Sequence, residues 1–227
     1  TGTDYVYTNG QRTVGSDGKY LTSDSTTEII GNIQADWLGG ISNNFKYKNF
    51  NFGFLIDIQK GGDIFSGDMM FGNATGLYKE TAGLNELGNP IRDAVADGGG
   101  VLLSGVTADG AINTTRADAS TYETPFGYYG GSSDTGGTAP SAQFVYDASY
   151  VKLREISLGY DLPASALNKT SINNVSFTLS ARNLWIIHKN LPYSDPEYNA
   201  SSGNNRGIQN GALPTSKEIS FNVSVNF

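Results

Sequence analysis

The sequence predicts an all-β fold: antiparallel strands of membrane height that form part of a transmembrane β-barrel. Three observations carry this expectation. Residues Lys217–Phe227 (KEISFNVSVNF) alternate without a break: Ile219, Phe221, Val223, Val225 and Phe227 are apolar, and Ser220, Asn222, Ser224 and Asn226 are polar. That period of two marks a two-faced strand. Glycine (29), tyrosine (13) and phenylalanine (11) are abundant and proline (7) is sparse, a composition of many strands joined by loops. Short and long connections also alternate along the chain. Meandering outer-membrane barrels show the same asymmetry, with tight periplasmic turns and long outer loops.

Residues 1–36 are polar and turn-rich (TNGQ, GSDGKY, TSDSTTE). They read as an extracellular-side loop segment with short strand pieces at Tyr5–Tyr7 and Lys19–Leu21. Residues 37–60 read as a barrel hairpin. Trp37, Ile41, Phe45 and Tyr47 share one parity, which switches after YKN to Phe50, Phe52, Phe54, Ile56 and Ile58, so a short turn lies near Tyr47–Asn49. Arms of about 11 residues, tilted by roughly 45°, cover about 25 Å, the height of the hydrocarbon band. Residues 61–143, rich in Gly, Asp, Thr and Ser, form a long extracellular loop with a short helix near Asn85–Ala96.

Residues 144–227 supply the last three barrel strands: Phe144–Tyr160, Ile172–Ile187 and the terminal alternating strand. A periplasmic turn over 161–171 and an extracellular loop over 188–216 connect them. A parity break at Arg154–Glu155 predicts a β-bulge. Trp37, Tyr47, Phe50, Tyr160 and Trp185, with Phe227, stand at strand ends, where membrane girdles lie. A soluble extracellular β-sandwich that binds glycans is the competing architecture, because its strands also alternate. Strand length and loop asymmetry favour the barrel. A barrel needs at least roughly eight strands, more than this chain carries, and open edges cannot stay unpaired in lipid. The rest of the barrel is therefore expected from further strands, in the same or another chain.

The net charge of −7 argues against a nucleic-acid partner. Without cysteine, no disulfide or thiolate metal site can form. No apolar run is long enough for a transmembrane helix. No catalytic constellation occurs, so neither an enzyme nor a cofactor is expected. His188 reads as a surface residue, and the carboxylate pairs Asp93/Asp97 and Asp195/Glu197 read as solvated loop charges. Asp17-Gly18-Lys19 and Asp109-Gly110 read as turns that lack the ligand count of a calcium loop. The functional candidates are loop aromatics: Tyr122, Phe126, Tyr128 and Tyr129 in TYETPFGYYGG, and Tyr193 and Tyr198 in LPYSDPEY. Such rings would stack on a substrate or grip a lid protein.

Several segments then fall into a familiar order. Gly31, Asn32, Asp36, Trp37, Gly39 and Gly40 form GN-x-x-x-DW-x-GG, followed by Tyr47, Lys48 and Phe50 and by GGDIF at Gly61–Phe65. DASYVKLREISLGYDLP (Asp147–Pro163), ARNLW (Ala181–Trp185) and DPE (Asp195–Glu197) come next. Together they resemble the C-terminal barrel portion of SusC/RagA-like TonB-dependent outer-membrane transporters; Ala35 departs from the proline usual there. The resemblance implies a barrel of about 22 strands in the outer membrane of a Gram-negative bacterium, importing oligosaccharides or peptides. It implies a SusD-like surface lipoprotein as lid and TonB acting through a plug. It also implies a terminal strand (Ile219, Phe221, Val223, Val225, Phe227) recognised by the barrel-assembly machinery. A passive porin-like barrel is the remaining alternative.

Overall fold

Tyr47 pairs with Phe50 across the two-residue turn Lys48–Asn49, and that register propagates through the larger sheet. The computed structural model describes residues 1–24, 26–121, 124–127, 139–168, 170–197, 206–211 and 213–227. In chain order the strands are β1 (Tyr7–Thr8), β2 (Gln11–Arg12), β3 (Trp37–Tyr47), β4 (Phe50–Lys60) and β5 (Asp63–Ser66). They continue with β6 (Val145–Asp147), β7 (Tyr150–Asp161), β8 (Asn174–Lys189), β9 (Ile208–Gln209) and β10 (Glu218–Asn226). Two α-helices, α1 (Gly67–Thr75) and α2 (Ala164–Leu167), are present among the described residues. None of the helices is long and apolar enough to cross a membrane.

The chain divides into two units. The first (Gln34–Gly62, Asp147–Tyr198, Leu213–Phe227) holds an antiparallel sheet of order β10-β8-β7-β4-β3. Residues directly opposite in such a sheet share a face, so the register sorts the side chains into rows. Phe45, Phe52, Leu158, Leu179 and Phe221 form one row, and Tyr47, Phe50, Tyr160, Phe177 and Val223 form the next. On the opposite face run Asn44, Gly53, Ser157, Ser180 and Ser220, then Lys46, Asn51, Gly159, Thr178 and Asn222. Over these rows one face is apolar and the other polar. The apolar residues of the first row are all solvent-exposed, and no second sheet covers them among the described residues. Rings pack along this face, Phe50 tilted against Tyr160 with centroids 4.7 Å apart and Phe177 stacked with Phe221 at 6.2 Å.

The expected parity break is a β-bulge at Arg154. Leu55 faces Glu155 while Ile56 faces Leu153, which leaves Arg154 out of the ladder. The strand expected over Phe144–Tyr160 is two strands, β6 and β7, parted at Ala148 and Ser149. The turns at Lys48–Asn49 and at 162–173 lie at one end of the sheet, and the long connections leave from the other. Asn49 ties the first turn to β7: its Nδ2 donates to the Asp161 carbonyl at 2.7 Å and its carbonyl accepts from Asp161 N–H at 2.8 Å.

The second unit (Thr1–Ile33, Asp63–Tyr146, Asn199–Ala212) has its own core, with Val14, Ile64, Met69, Ile91, Val106 and Phe144 buried. Its β1–β2 hairpin turns on Asn9-Gly10, both at positive φ (53° and 77°), the conformation that Asn-Gly tolerates best. The helix expected over Asn85–Ala96 is absent. Asn85 Oδ1 accepts from the N–H groups of Leu87 and Asn89 at 3.0 Å each, a local turn that competes with helix. The helix lies instead at α1. Ser66 caps it by accepting from Met69 N–H at 3.1 Å, and Gly76 ends it at φ 74°. Arg92 binds its last carbonyls, Asn73 at 2.6 Å and Ala74 at 2.9 Å, and also the Thr81 carbonyl at 2.6 Å.

Candidate functional site

The polar face of the sheet is built from amides and hydroxyls. Asn44, Lys46, Asn51, Ser157, Asp161, Ser176 and Thr178 line a hollow of about 270 Å³. Gly53 makes room for two of them: an added Cβ would lie 2.6 Å from Asn44 Oδ1 and 2.9 Å from Ser157 Oγ. Ser180 and Ser220 share a hydrogen bond of 2.7 Å across β8 and β10. Lys46 and Asp161 stand 4.0 Å apart with the lysine exposed, a pair that contributes little in water. This surface offers many neutral donors and acceptors and few free charges.

Beyond the bulge the same unit carries a cluster of opposite charge. Displaced from the ladder, Arg154 donates from Nε and Nη2 to Asp57 Oδ2 at 2.9 and 2.7 Å. It also clasps both oxygens of Glu197, one of them at 2.6 Å, a bidentate geometry that is stronger than a single contact. Lys152, 4% exposed, donates to Asp195 and, at 2.8 Å, to Glu197. Asp195 further accepts from the Thr215 hydroxyl at 3.0 Å and from Glu197 N–H at 3.0 Å. Burial opposes ionisation of Asp195, but the bonds from Lys152, Glu197 N–H and Thr215 outweigh it and hold the carboxyl below its ordinary range. Burial opposes ionisation of Glu197 likewise, and Arg154 and Lys152 outweigh it. The reading of Asp195/Glu197 as solvated loop charges is therefore corrected: both are drawn into a part-buried ion cluster. An unpaired buried charge is costly, so this cluster fastens residues 190–197 to β4 and β7.

The aromatic candidates separate. Phe126 is half-buried, with the Arg92 guanidinium 5.4 Å from its ring, a packing contact. Tyr193 is exposed beside the ion cluster. Tyr122, Tyr128, Tyr129 and Tyr198 lie outside the described residues. Trp37, Tyr47, Phe50 and Trp185 are exposed and Tyr160 is half-buried. Ile219, Phe221, Val223, Val225 and Phe227 are all exposed along β10 and just past its end. His188 is exposed. Sequence reading missed Asp57, Lys152 and Arg154. Lys152 and Arg154 lie in the DASYVKLREISLGYDLP segment that carries the resemblance, but nothing in the sequence pairs them with Asp57 or Glu197.

No protein-family model matches the chain. It is 25% identical over 217 residues to TonB-dependent receptor P3 of Formosa agariphila, covering 93% of this chain and 18% of that protein. It is 28% identical over 202 residues to TonB-dependent receptor P39 of the same organism, covering 88% and 17%. Among solved structures it resembles the RagAB peptide importer in its closed-closed state, with a TM-score of 0.57 at 20% identity over 97% of this chain and 21% of that one. The open-open state gives a TM-score of 0.57 at 18% identity, over 100% and 21%. The chain spans about a fifth of the length of these proteins. Over that stretch the chain is thus similar in sequence to TonB-dependent receptors and in fold to the RagAB peptide importer.

Proposed function

We propose that the chain forms part of the wall of an active outer-membrane importer of oligosaccharides or peptides. The observation that carries this is the two-faced sheet, with rows of apolar residues on one side and of polar residues on the other running across all five strands. Lipid covers the apolar face and the solute path borders the polar one. Trp37, Tyr47, Phe50, Tyr160 and Trp185 form the girdles. Ile219, Phe221, Val223, Val225 and Phe227 form the strand that the assembly machinery engages. A plug coupled to TonB drives uptake, and a SusD-like lipoprotein closes the outer side, a reading supported by the likeness to the RagAB importer.

The test is uptake by cells carrying the complete receptor, measured with labelled oligosaccharides and peptides. Accumulation should stop when TonB is deleted or the proton gradient is collapsed, and a surface lipoprotein should co-purify with the receptor. Uptake that persists without TonB would mean a passive pore.

A further inference from the structure

Tyr193 is the central residue of a three-residue turn in which Ser194 N–H donates to the Pro192 carbonyl, and its φ is 56°. That conformation is strained for a residue with a Cβ and persists only where the surroundings over-determine it. Here they do. Leu191 on one side is fully buried, and Asp195 and Pro196 on the other are buried. Lys189 donates to the Ser194 carbonyl at 2.8 Å, and the ion cluster of Lys152, Arg154, Asp57, Asp195 and Glu197 fixes the following residues. The described residues on both sides of Tyr193 are fastened, yet Tyr193 itself remains 51% exposed. A buried anchor that holds a strained, half-exposed tyrosine is an arrangement for presenting that residue.

We propose that residues 190–197 form a preformed recognition loop in which Tyr193 stacks on the apolar face of a neutral sugar ring, with Lys152 and Arg154 as positioning residues. The inference rests on the importer reading and assigns that function a contact residue. Charge chooses between solutes. Lys152 is engaged by Asp195 and Glu197, Arg154 by Asp57 and Glu197, and Lys189 by a carbonyl. A peptide terminus that needs a counter-charge finds these three cations occupied. A sugar ring needs only a flat apolar surface and neutral hydrogen-bonding groups, and the loop presents the first.

The experiment uses the complete receptor, purified from outer membranes. Binding of short neutral gluco-, manno-, galacto- and xylo-oligosaccharides, and of capped neutral peptides, is measured by calorimetry. Tyr193→Gly should keep or raise the melting temperature, because glycine relieves the positive φ, while sugar affinity falls about fivefold or more. Tyr193→Phe should restore the affinity. Glu197→Gln should weaken sugar binding without touching the sugar, and its effect should vanish in the Tyr193→Gly background, the signature of one residue acting through another. Unchanged sugar affinity in Tyr193→Gly would overturn the inference while leaving the importer reading intact. So would a melting temperature that falls together with affinity, since the ring would then be packing. Wild-type receptor that binds the capped peptides and not the sugars overturns the sugar assignment. Wild-type receptor that binds neither fails the importer reading as well.

Discussion

Glu197 accepts two hydrogen bonds from Arg154 and one from Lys152, so a single carboxylate joins two cations of β7 to the loop that follows β8. Glu197→Gln keeps the shape and removes the charge, leaving Arg154 and Lys152 under-compensated. The expected loss is about 3 kcal/mol of loop docking, read as faster proteolysis or hydrogen exchange of residues 190–197 in the complete receptor. The pH dependence has a definite sign. Asp195 and Glu197 both titrate below their ordinary values in the folded protein. The stability they contribute is therefore fully present above the unfolded carboxylate values, about pH 4, and is lost as pH falls through the lower folded values. Exchange protection of 190–197 should be flat from neutral pH to about 5 and collapse below about 4. A collapse already complete at pH 6 would mean that other groups hold the loop.

At the scale of a strand, β10 offers the plainest test of sidedness. Phe221 and Asn222 are adjacent, near mid-strand, and face opposite ways. Phe221→Lys should cost about 2–4 kcal/mol if that face meets hydrocarbon, whereas Asn222→Lys should stay within about 0.5 kcal/mol. Chemical unfolding of the complete receptor in lipid measures both, and equal costs would remove the assignment of faces. This sidedness was legible in the sequence because strand period is a local property: each alternating run states its own two faces, and the parity break at Arg154 showed the bulge. The helix was not legible. GDMMFGNAT carries two glycines at Gly67 and Gly72, and its caps at Ser66 and Gly76 look like ordinary loop residues. Asn85–Ala96 has helix-forming stretches, but Asn85, Gly88 and Pro90 fold it into turns. The ion cluster was hidden for another reason. Asp57 and Arg154 are 97 residues apart and Arg154 and Glu197 are 43 apart, so only the register of three strands brings them together. DPE was visible as a motif, and its partners were not.

At the scale of the whole molecule, the sheet has two open sides among the described residues, where β3 and β10 each pair with one neighbour only. In water those edges can hydrogen-bond to solvent. In hydrocarbon each unpaired N–H or C=O costs several kcal/mol, and strands of 11 and 9 residues expose many of them. The apolar face presses the same point from the other direction: Phe45, Phe221 and Ile219 are more than half exposed, so this sheet is poorly placed in water and incomplete in lipid. Both problems vanish only when further strands pair with β3 and β10 and close the wall. The 227-residue chain produced alone should therefore aggregate in buffer and give no heat-modifiable, monodisperse species in detergent. The complete receptor should run as a compact band that shifts on boiling. Protease digestion adds a second reading, because β3, β4, β7, β8 and β10 should be protected in the complete receptor and cut in the isolated chain. A soluble, monodisperse, protease-resistant isolated chain would defeat the membrane assignment. The apolar face would then have to be covered in water by a second sheet, which is the sandwich architecture.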